Sequence, residues 1–322
     1  MSVKYLIRLK QYFSKLIIKK NMETQTVNTK QKIVPFLWFD ENAEDAVNFY
    51  ISCFKNSKAG NISRYDEVSA KASGRPVDSV LTESFQLNGQ EFIALNGGPV
   101  FKFTPCISFF VTCETEEEID ELWEKLSVDG KTFMEFKSYP FSKKYGWVED
   151  KFGLSWQLNF TGDKTQINPL LMFTGKNVGK AEEAINFYTS LFEKSEIINV
   201  VHYAEGQGEP EGNVVHARFS LNGEEFLAMD SSLEHGFNFT PAVSFLVYCE
   251  TQEEVDYFWD KLTEGGKEVE CGWLEDKYGV SWQIVPTVFM KLITQPDKEK
   301  AKRVMQAMMK MKKFDIKKLE EA

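Results

Sequence analysis

Apolar residues recur along this chain in two rhythms, and the order of the rhythms is itself repeated. A β-rich run, Ile33–Phe39, precedes a stretch in which Ala46, Phe49, Tyr50, Cys53 and Phe54 fall at i, i+3, i+4, i+7 and i+8. That spacing marks one face of a helix. Three strand patterns follow, Asn61–Tyr65, Val80–Leu87 and Glu91–Leu95, the last two joined by Asn88-Gly89. An Asn-Gly pair between alternating runs predicts a tight hairpin. A second series opens with the strand Cys106–Cys113 and a helix burying Ile119, Leu122, Trp123 and Leu126. Thr115 and Glu118 stand three apart at its start, the spacing of a capping box.

The whole order then returns. Ala43–Tyr50 (AEDAVNFY) reappears as Ala181–Tyr188 (AEEAINFY), residues 102–126 match 238–262 at 15 of 25 positions, and Gly146–Gln157 matches Gly272–Gln283 at 9 of 12. The hairpin pair recurs as Asn222-Gly223 and the capping box as Thr251 and Glu254. A period near 130 residues is too long for a solenoid unit, so the chain is read as a duplicated domain. Its boundaries are expected at 32–161 and 166–286, with Gly162-Asp-Lys-Thr-Gln as the joint. Each half holds two strand–helix–strands modules, four in all.

Composition agrees with two folded units. The chain has 322 residues, 43% of them apolar, and a net charge of −10. The first 20 residues carry six basic side chains and no acidic one, and residues 287–322 carry ten basic against five acidic, which leaves −21 on residues 21–286. That acidity argues against nucleic acid as a partner, and no apolar run is long enough to span a bilayer. Five cysteines without a C-x-x-C spacing read as free thiols, placing the protein in the cytoplasm. Residues 1–31 form a basic leader with two readings: an amphipathic helix on a membrane surface, or a start of translation at Met22. The polar stretch Glu23–Lys32 favours the second. At the other end, Val304, Met305, Met308 and Met309 form an apolar face on a basic helix. It is expected to dock on the acidic body or to mediate a further oligomer.

Four modules joined in pairs resemble the vicinal-oxygen-chelate superfamily, the glyoxalase/bleomycin-resistance/dioxygenase-like proteins. The similarity narrows to its PhnB-like branch at Ala-Glu-Asp/Glu-Ala-x-Asn-Phe-Tyr, at Phe-Thr-Pro before the fifth strand, at Cys-Glu-Thr-x-Glu-Glu, and at Gly-Trp-x-Glu-Asp-Lys-x-Gly-x-Ser-Trp-Gln. It covers residues 33–322. The resemblance implies an α+β fold of tandem paired βαβββ modules curving round a cavity, with the two domains packed as a pseudo-dimer. In the superfamily's metal enzymes it also implies four His or Glu ligands, one from each module. Here the first strands, Val34–Phe39 and Leu170–Phe173, and the fifth, Ile107–Val111 and Val243–Val247, offer none. A small-molecule-binding protein without the usual metal is the leading expectation, with no cofactor. The alternative is a metal-dependent lyase, isomerase or dioxygenase holding a divalent ion through His202 and His216, on strands of the second half. A third reading is a scaffold with a packed interior. The branch also carries the description demethylubiquinone methyltransferase-like, yet the glycine-rich turn that opens a helix under a nucleotide is missing. The nearest run, Leu95-Asn-Gly-Gly-Pro99, reads as a turn.

Candidate ligand-binding residues come from the repeated block and from a difference beside it. The block supplies Trp147 and Asp150, and again Trp273 and Asp276, as cavity-mouth aromatics with polar anchors; a hairpin requirement explains the same repetition. Before it the first half has fifteen residues, Lys131–Tyr145, where the second has five, Lys267–Cys271. The excess reads as an aromatic and basic loop offering Tyr139 and Lys143 or Lys144 to an anionic molecule. Cys113 and Cys249, at strand ends ahead of helices, are read as packing residues with a weaker claim to reactivity.

Overall fold

The computed structural model describes residues 31–65, 70 and 74–322, so the expectations for the leader lie outside the described residues. The first module is β1 (Ile33–Phe39), α1 (Ala43–Cys53), β2 (Lys58–Arg64), β3 (Val80–Leu87) and β4 (Gln90–Asn96). The second is β5 (Ile107–Cys113), α2 (Glu116–Leu126), β6 (Lys131–Tyr139), β7 (Ser142–Glu149) and β8 (Ser155–Phe160). The third runs β9 (Gln166–Phe173), α3 (Ala181–Leu191), β10 (Glu196–His202), β11 (Val214–Leu221) and β12 (Glu224–Asp230). The fourth runs β13 (Val243–Cys249), α4 (Gln252–Thr263), β14 (Lys267–Glu268), β15 (Trp273–Glu275) and β16 (Ser281–Pro286). Three helices close the chain: α5 (Thr287–Thr294), α6 (Lys298–Met308) and α7 (Ile316–Glu320).

Local chemistry places these elements as the residues predict. The Thr115 and Thr251 side chains accept from the N–H groups of Glu118 and Glu254. The carboxylates of the same glutamates accept from the N–H groups of Glu114 and Glu250, one residue before the caps. Asn88 and Gly89 have φ of 50° and 83°, as a two-residue hairpin turn requires. Residues 131–145 depart from expectation. They form the paired strands β6 and β7, which turn at Pro140-Phe141 with Tyr139 opposite Ser142, rather than a loop.

The modules do not pair within their own repeats. One eight-stranded sheet, sheet A, has the order β14-β15-β16-β13-β1-β4-β3-β2, and the other, sheet B, β10-β11-β12-β9-β5-β8-β7-β6. Each is therefore half first repeat and half second, joined by antiparallel pairs: β1 with β13 (Phe36 opposite Ser244) and β5 with β9 (Phe110 opposite Asn168). The short joint imposes this. From Phe160 the chain has only five residues before β9, enough to step over β5 and pair beside it but not to reach the far sheet edge.

Each repeat's core then ties the two sheets together. In the first, Phe92 of β4 meets Phe109 of β5 at 5.3 Å between ring centroids, and Tyr50 of α1 meets Trp156 of β8 at 5.4 Å. In the second, Phe226 meets Phe245 at 5.3 Å and Tyr188 meets Trp282 at 5.5 Å. The four helices within the repeats lie on these inner faces, which leaves the opposite face of each sheet free of repeat helices.

The C-terminal tail compensates for the short hairpin of the fourth module. In the second module, Phe136 stacks on Trp123 of α2, and Lys144 pairs with Asp120 (2.7 Å) and Glu116 (3.6 Å). In the fourth, Lys313 of the tail pairs with Asp256 (2.8 Å) and Asp260 (3.3 Å) of α4. Cys271 and Gly272 donate their N–H groups to the Met311 and Lys312 carbonyls. Val304, Met305, Met308, Phe314 and Leu319 are buried within the chain itself.

Gly146 on β7 gives a direct test of this packing. A Cβ there would stand 2.4 Å from the Trp123 ring. Gly146→Ala should therefore cost about 1–3 kcal/mol in urea unfolding, through displacement of Trp123 from Phe136.

Candidate functional site

The two helix-free faces carry equivalent strands but different surfaces. On sheet A, Val34, Phe36, Leu246, Tyr248, Trp273 and Val285 are buried. On sheet B, Leu170, Met172 and Leu227 form a separate small cluster, bordered by the half-buried Phe110, Trp147, Met229 and Phe237. Three positions mark the change in chemistry. Where sheet A has Val34, Tyr248 and Val285, the corresponding strands of sheet B have Asn168, Thr112 and Asn159.

Sheet B is strongly curved. His216 on β11 and Phe110 on β5 are separated by β12 and β9, about 14 Å along a flat sheet, yet their ring centroids are 6.3 Å apart. The aromatic arc continues from Phe110 to Tyr145 (6.5 Å), and from Tyr145 to Tyr139 and Phe141 at the β6–β7 turn (5.8 and 5.2 Å). Within it the hydrogen-bond donors are engaged. The Tyr145 hydroxyl donates to Gln157 Oε1 (2.7 Å), and Gln157 Nε2 donates to Ser108 Oγ (2.9 Å). Trp147 Nε1 donates to Ser155 Oγ (2.8 Å). Arg218 grips Glu225 through two bonds of 2.9 and 2.8 Å, and Asn168 Nδ2 reaches the same carboxylate at 3.2 Å. Burial pushes the Tyr145 phenol above its ordinary pKa. Burial, helped by Arg218, holds the His216 imidazole below its ordinary value, and Glu225 opposes this. One acceptor is left over: the buried Asn159 Oδ1 has no hydrogen-bond partner. A buried polar atom left so costs about 1–3 kcal/mol.

The residues singled out from sequence separate into several environments. Trp147 lies on the sheet B face. Trp273, its counterpart, is 5% exposed within the closed sheet A face, its ring 5.7 Å from Phe36. Asp150 and Asp276 are buried inside their hairpin turns and serve the fold. Asp276 accepts from Tyr188 Oη (2.7 Å), Trp282 Nε1 (2.9 Å) and the N–H groups of Tyr278 and Val280. Asp150 accepts from Trp156 Nε1 and the N–H groups of Phe152 and Leu154. Tyr139 donates to the Glu135 carbonyl and stacks on Phe141. Lys143 is exposed beside that turn, whereas Lys144 is held by α2.

His202 and His216 are not brought together. His202 lies on the α3 side of sheet B, its Nε2 2.8 Å from Glu182, while His216 packs beside Phe110 on the other side. The thiols of Cys113 and Cys249 are buried and pushed up, Cys249 to about 12, which opposes the reactivity that their helix-start position suggested. Among the described residues no three His, Cys, Asp or Glu side chains assemble as a metal site. The donor set thus does not fit the superfamily's chelated ion. Nor does Leu95–Pro99 form a nucleotide cradle: Trp38 Nε1 donates to Gly98 (2.8 Å), and the Trp38 ring takes the space of a Cβ at Gly97. Sequence reasoning missed Phe110, Tyr145, Gln157 and Asn159. Comparing the repeats along alternate strand positions would have found Asn159 against Val285.

Asp276 carries a pH prediction. Burial raises its carboxyl to about 6, against the pull of its four donors. The folded state therefore keeps a proton that the unfolded chain releases near 4. This contribution is complete below about pH 4 and is lost as pH rises through about 6. Between those limits the wild-type stability should fall by on the order of 3 kcal/mol relative to Asp276→Asn, measured by urea unfolding at each pH.

Comparison with known proteins agrees with this architecture. A family model described as 3-demethylubiquinone-9 3-methyltransferase matches residues 31–159 and again 165–285. The PhnB protein from Bacillus cereus is 49% identical over 41% of this chain and 100% of its own, with a TM-score of 0.38. A protein from Staphylococcus aureus is 32% identical over 40% of this chain and 96% of its own, with a TM-score of 0.17. Glyoxalase I from Zea mays, at 12% identity, covers 82% of this chain and 95% of its own with a TM-score of 0.53, a likeness of fold. No curated protein matches. The chain therefore belongs to the 3-demethylubiquinone-9 3-methyltransferase (PhnB-like) family, in two tandem copies with the glyoxalase-like fold.

Proposed function

We propose that this protein binds one small organic molecule per chain on the helix-free face of sheet B, without a family-type metal centre. The observation that carries this reading is the inequality of the two faces. The sheet A face is apolar and buried at Val34, Tyr248, Trp273 and Val285, while the sheet B face has half-buried aromatics at Phe110 and Trp147 and polar residues at Asn168, Thr112 and Asn159. A face with only a structural task gains stability by closing, as sheet A does; a ligand site has to keep its groups open to the ligand.

Metal-assisted catalysis has less support. The first- and fifth-strand side chains on the face, Leu170 and Phe110 among them, are not ligands, and His202 and His216 point to opposite sides of their sheet. Methyl transfer, named in the family's description, finds no cradle in the one glycine-rich turn considered, which seats Trp38.

A thermal-shift screen of small organic molecules tests the proposal. A hit should saturate at one equivalent per chain, survive chelator treatment, weaken at least tenfold in Trp147→Ala, and be unaffected in His202→Ala. Binding abolished by chelator, or untouched by Trp147→Ala, would contradict it.

A further inference from the structure

Four strands end the two sheets, and three of them are built against further pairing. β14 is two residues long. β6 carries Lys131 and Lys137 and shifts register against β7 three times. β2, Lys-Ala-Gly-Asn-Ile-Ser-Arg, has a glycine at its third position and a basic side chain at either end. Short strands, basic side chains and irregular register each discourage another strand from joining an edge.

The fourth, β10, is Glu-Ile-Ile-Asn-Val-Val-His. Its Ile197, Ile198 and Val201 side chains are 41%, 44% and 48% exposed, and among the described residues no other strand carries a large apolar side chain so exposed. The fold does not require them. β10 is the counterpart of β2 in the second repeat, and both strands slip register against their hairpin partners at corresponding places. Yet β2 has Ala59, Gly60 and Ser63 where β10 has the three aliphatics. An edge of β-branched side chains with no outer neighbour offers both its backbone groups and its apolar surface to another strand.

The order of residues along β10 shows which strand fits. Laid antiparallel on a copy of itself about Asn199, β10 sets Ile197 against Val201, Ile198 against Val200, and Glu196 against His202. Aliphatic then meets aliphatic throughout, and each terminal carboxylate meets an imidazole. A twofold contact requires a self-complementary patch of this kind. The same operation on β2 sets Lys58 against Arg64, two like charges that oppose pairing.

We infer that β10 is the edge through which two copies of this chain associate, by an antiparallel strand pair that joins their B sheets into one continuous sheet. The inference is independent of the ligand reading, because it rests on the strand edge and not on the sheet face. A single strand pair is a small interface, so the dimer is expected to dissociate on dilution.

Sedimentation equilibrium of the full chain should show a monomer–dimer equilibrium with Kd between about 1 μM and 1 mM. Ile197→Lys puts an ammonium group on the edge twice per dimer and should weaken association by about tenfold or more, with the thermal midpoint unchanged. A short bis-maleimide should link Asn199→Cys, whose new thiols meet at the twofold axis, into covalent dimers above any wild-type background. Asn61→Cys, the corresponding position on β2, should give none. The cross-link decides the matter should Ile197→Lys lower the thermal midpoint. A chain that stays monomeric to about 1 mM, a dimer that a folded Ile197→Lys leaves unchanged, or equal cross-linking at the two cysteine positions overturns the inference.

Discussion

Everything in this structure depends on two antiparallel strand pairs that join the repeats, β1 with β13 and β5 with β9. Neither repeat completes a sheet alone. Each contributes half of sheet A and half of sheet B, while its own aromatic core holds the two sheets together. Polar contacts also cross between the repeats. Glu224, at the start of β12, accepts from the N–H groups of Lys32 and Ile33 at the start of β1, and burial raises its carboxyl to about 7. It also means that any site on a helix-free face is composed by both repeats, so the two copies can diverge in complementary ways.

They have diverged. Sheet A has the shorter hairpin in its fourth module; there the tail flanks α4 through Lys313 and holds Cys271 and Gly272 through the carbonyls of Met311 and Lys312. Its face without repeat helices is apolar and buried at Val34, Tyr248 and Val285. Sheet B has the longer hairpin, whose rings extend the aromatic arc from Phe110 outward. The same duplicated scaffold thus carries one face given to stability and one that retains the character of a binding surface.

Much of this was legible in the residues. Capping boxes, Asn-Gly turns and the periods of helix and strand are local, and they appear where the spacing puts them. Which module pairs with which was not legible, because equivalent strands of the two repeats offer nearly the same apolar edge. The Glu-Asp-Lys block drew attention as a repeated charged motif. Its aspartates are repeated because each fastens a turn to a tryptophan and, for Asp276, to a tyrosine on a helix far away in sequence. His202 and His216 were grouped by strand adjacency, but the register irregularity between Val201 and His202 lies where facing matters most. Pro140 and the lysines around it made Lys131–Tyr145 read as a loop, although the strands pair around that proline at a turn. The buried, unpartnered Asn159 Oδ1 reflects burial and partner geometry, neither of which a single chain of letters contains.

The central claim, that the sheet B face keeps a half-buried aromatic border where the equivalent sheet A positions are fully buried, is tested most directly by fluorine NMR of fluorotryptophan-labelled protein with a soluble paramagnetic agent. The seven tryptophan resonances can be assigned by single Trp→Phe substitutions. Trp147 should broaden strongly as the agent is added, while Trp273 should remain sharp. Equal broadening of the two, or protection of Trp147 with exposure of Trp273, would contradict the account.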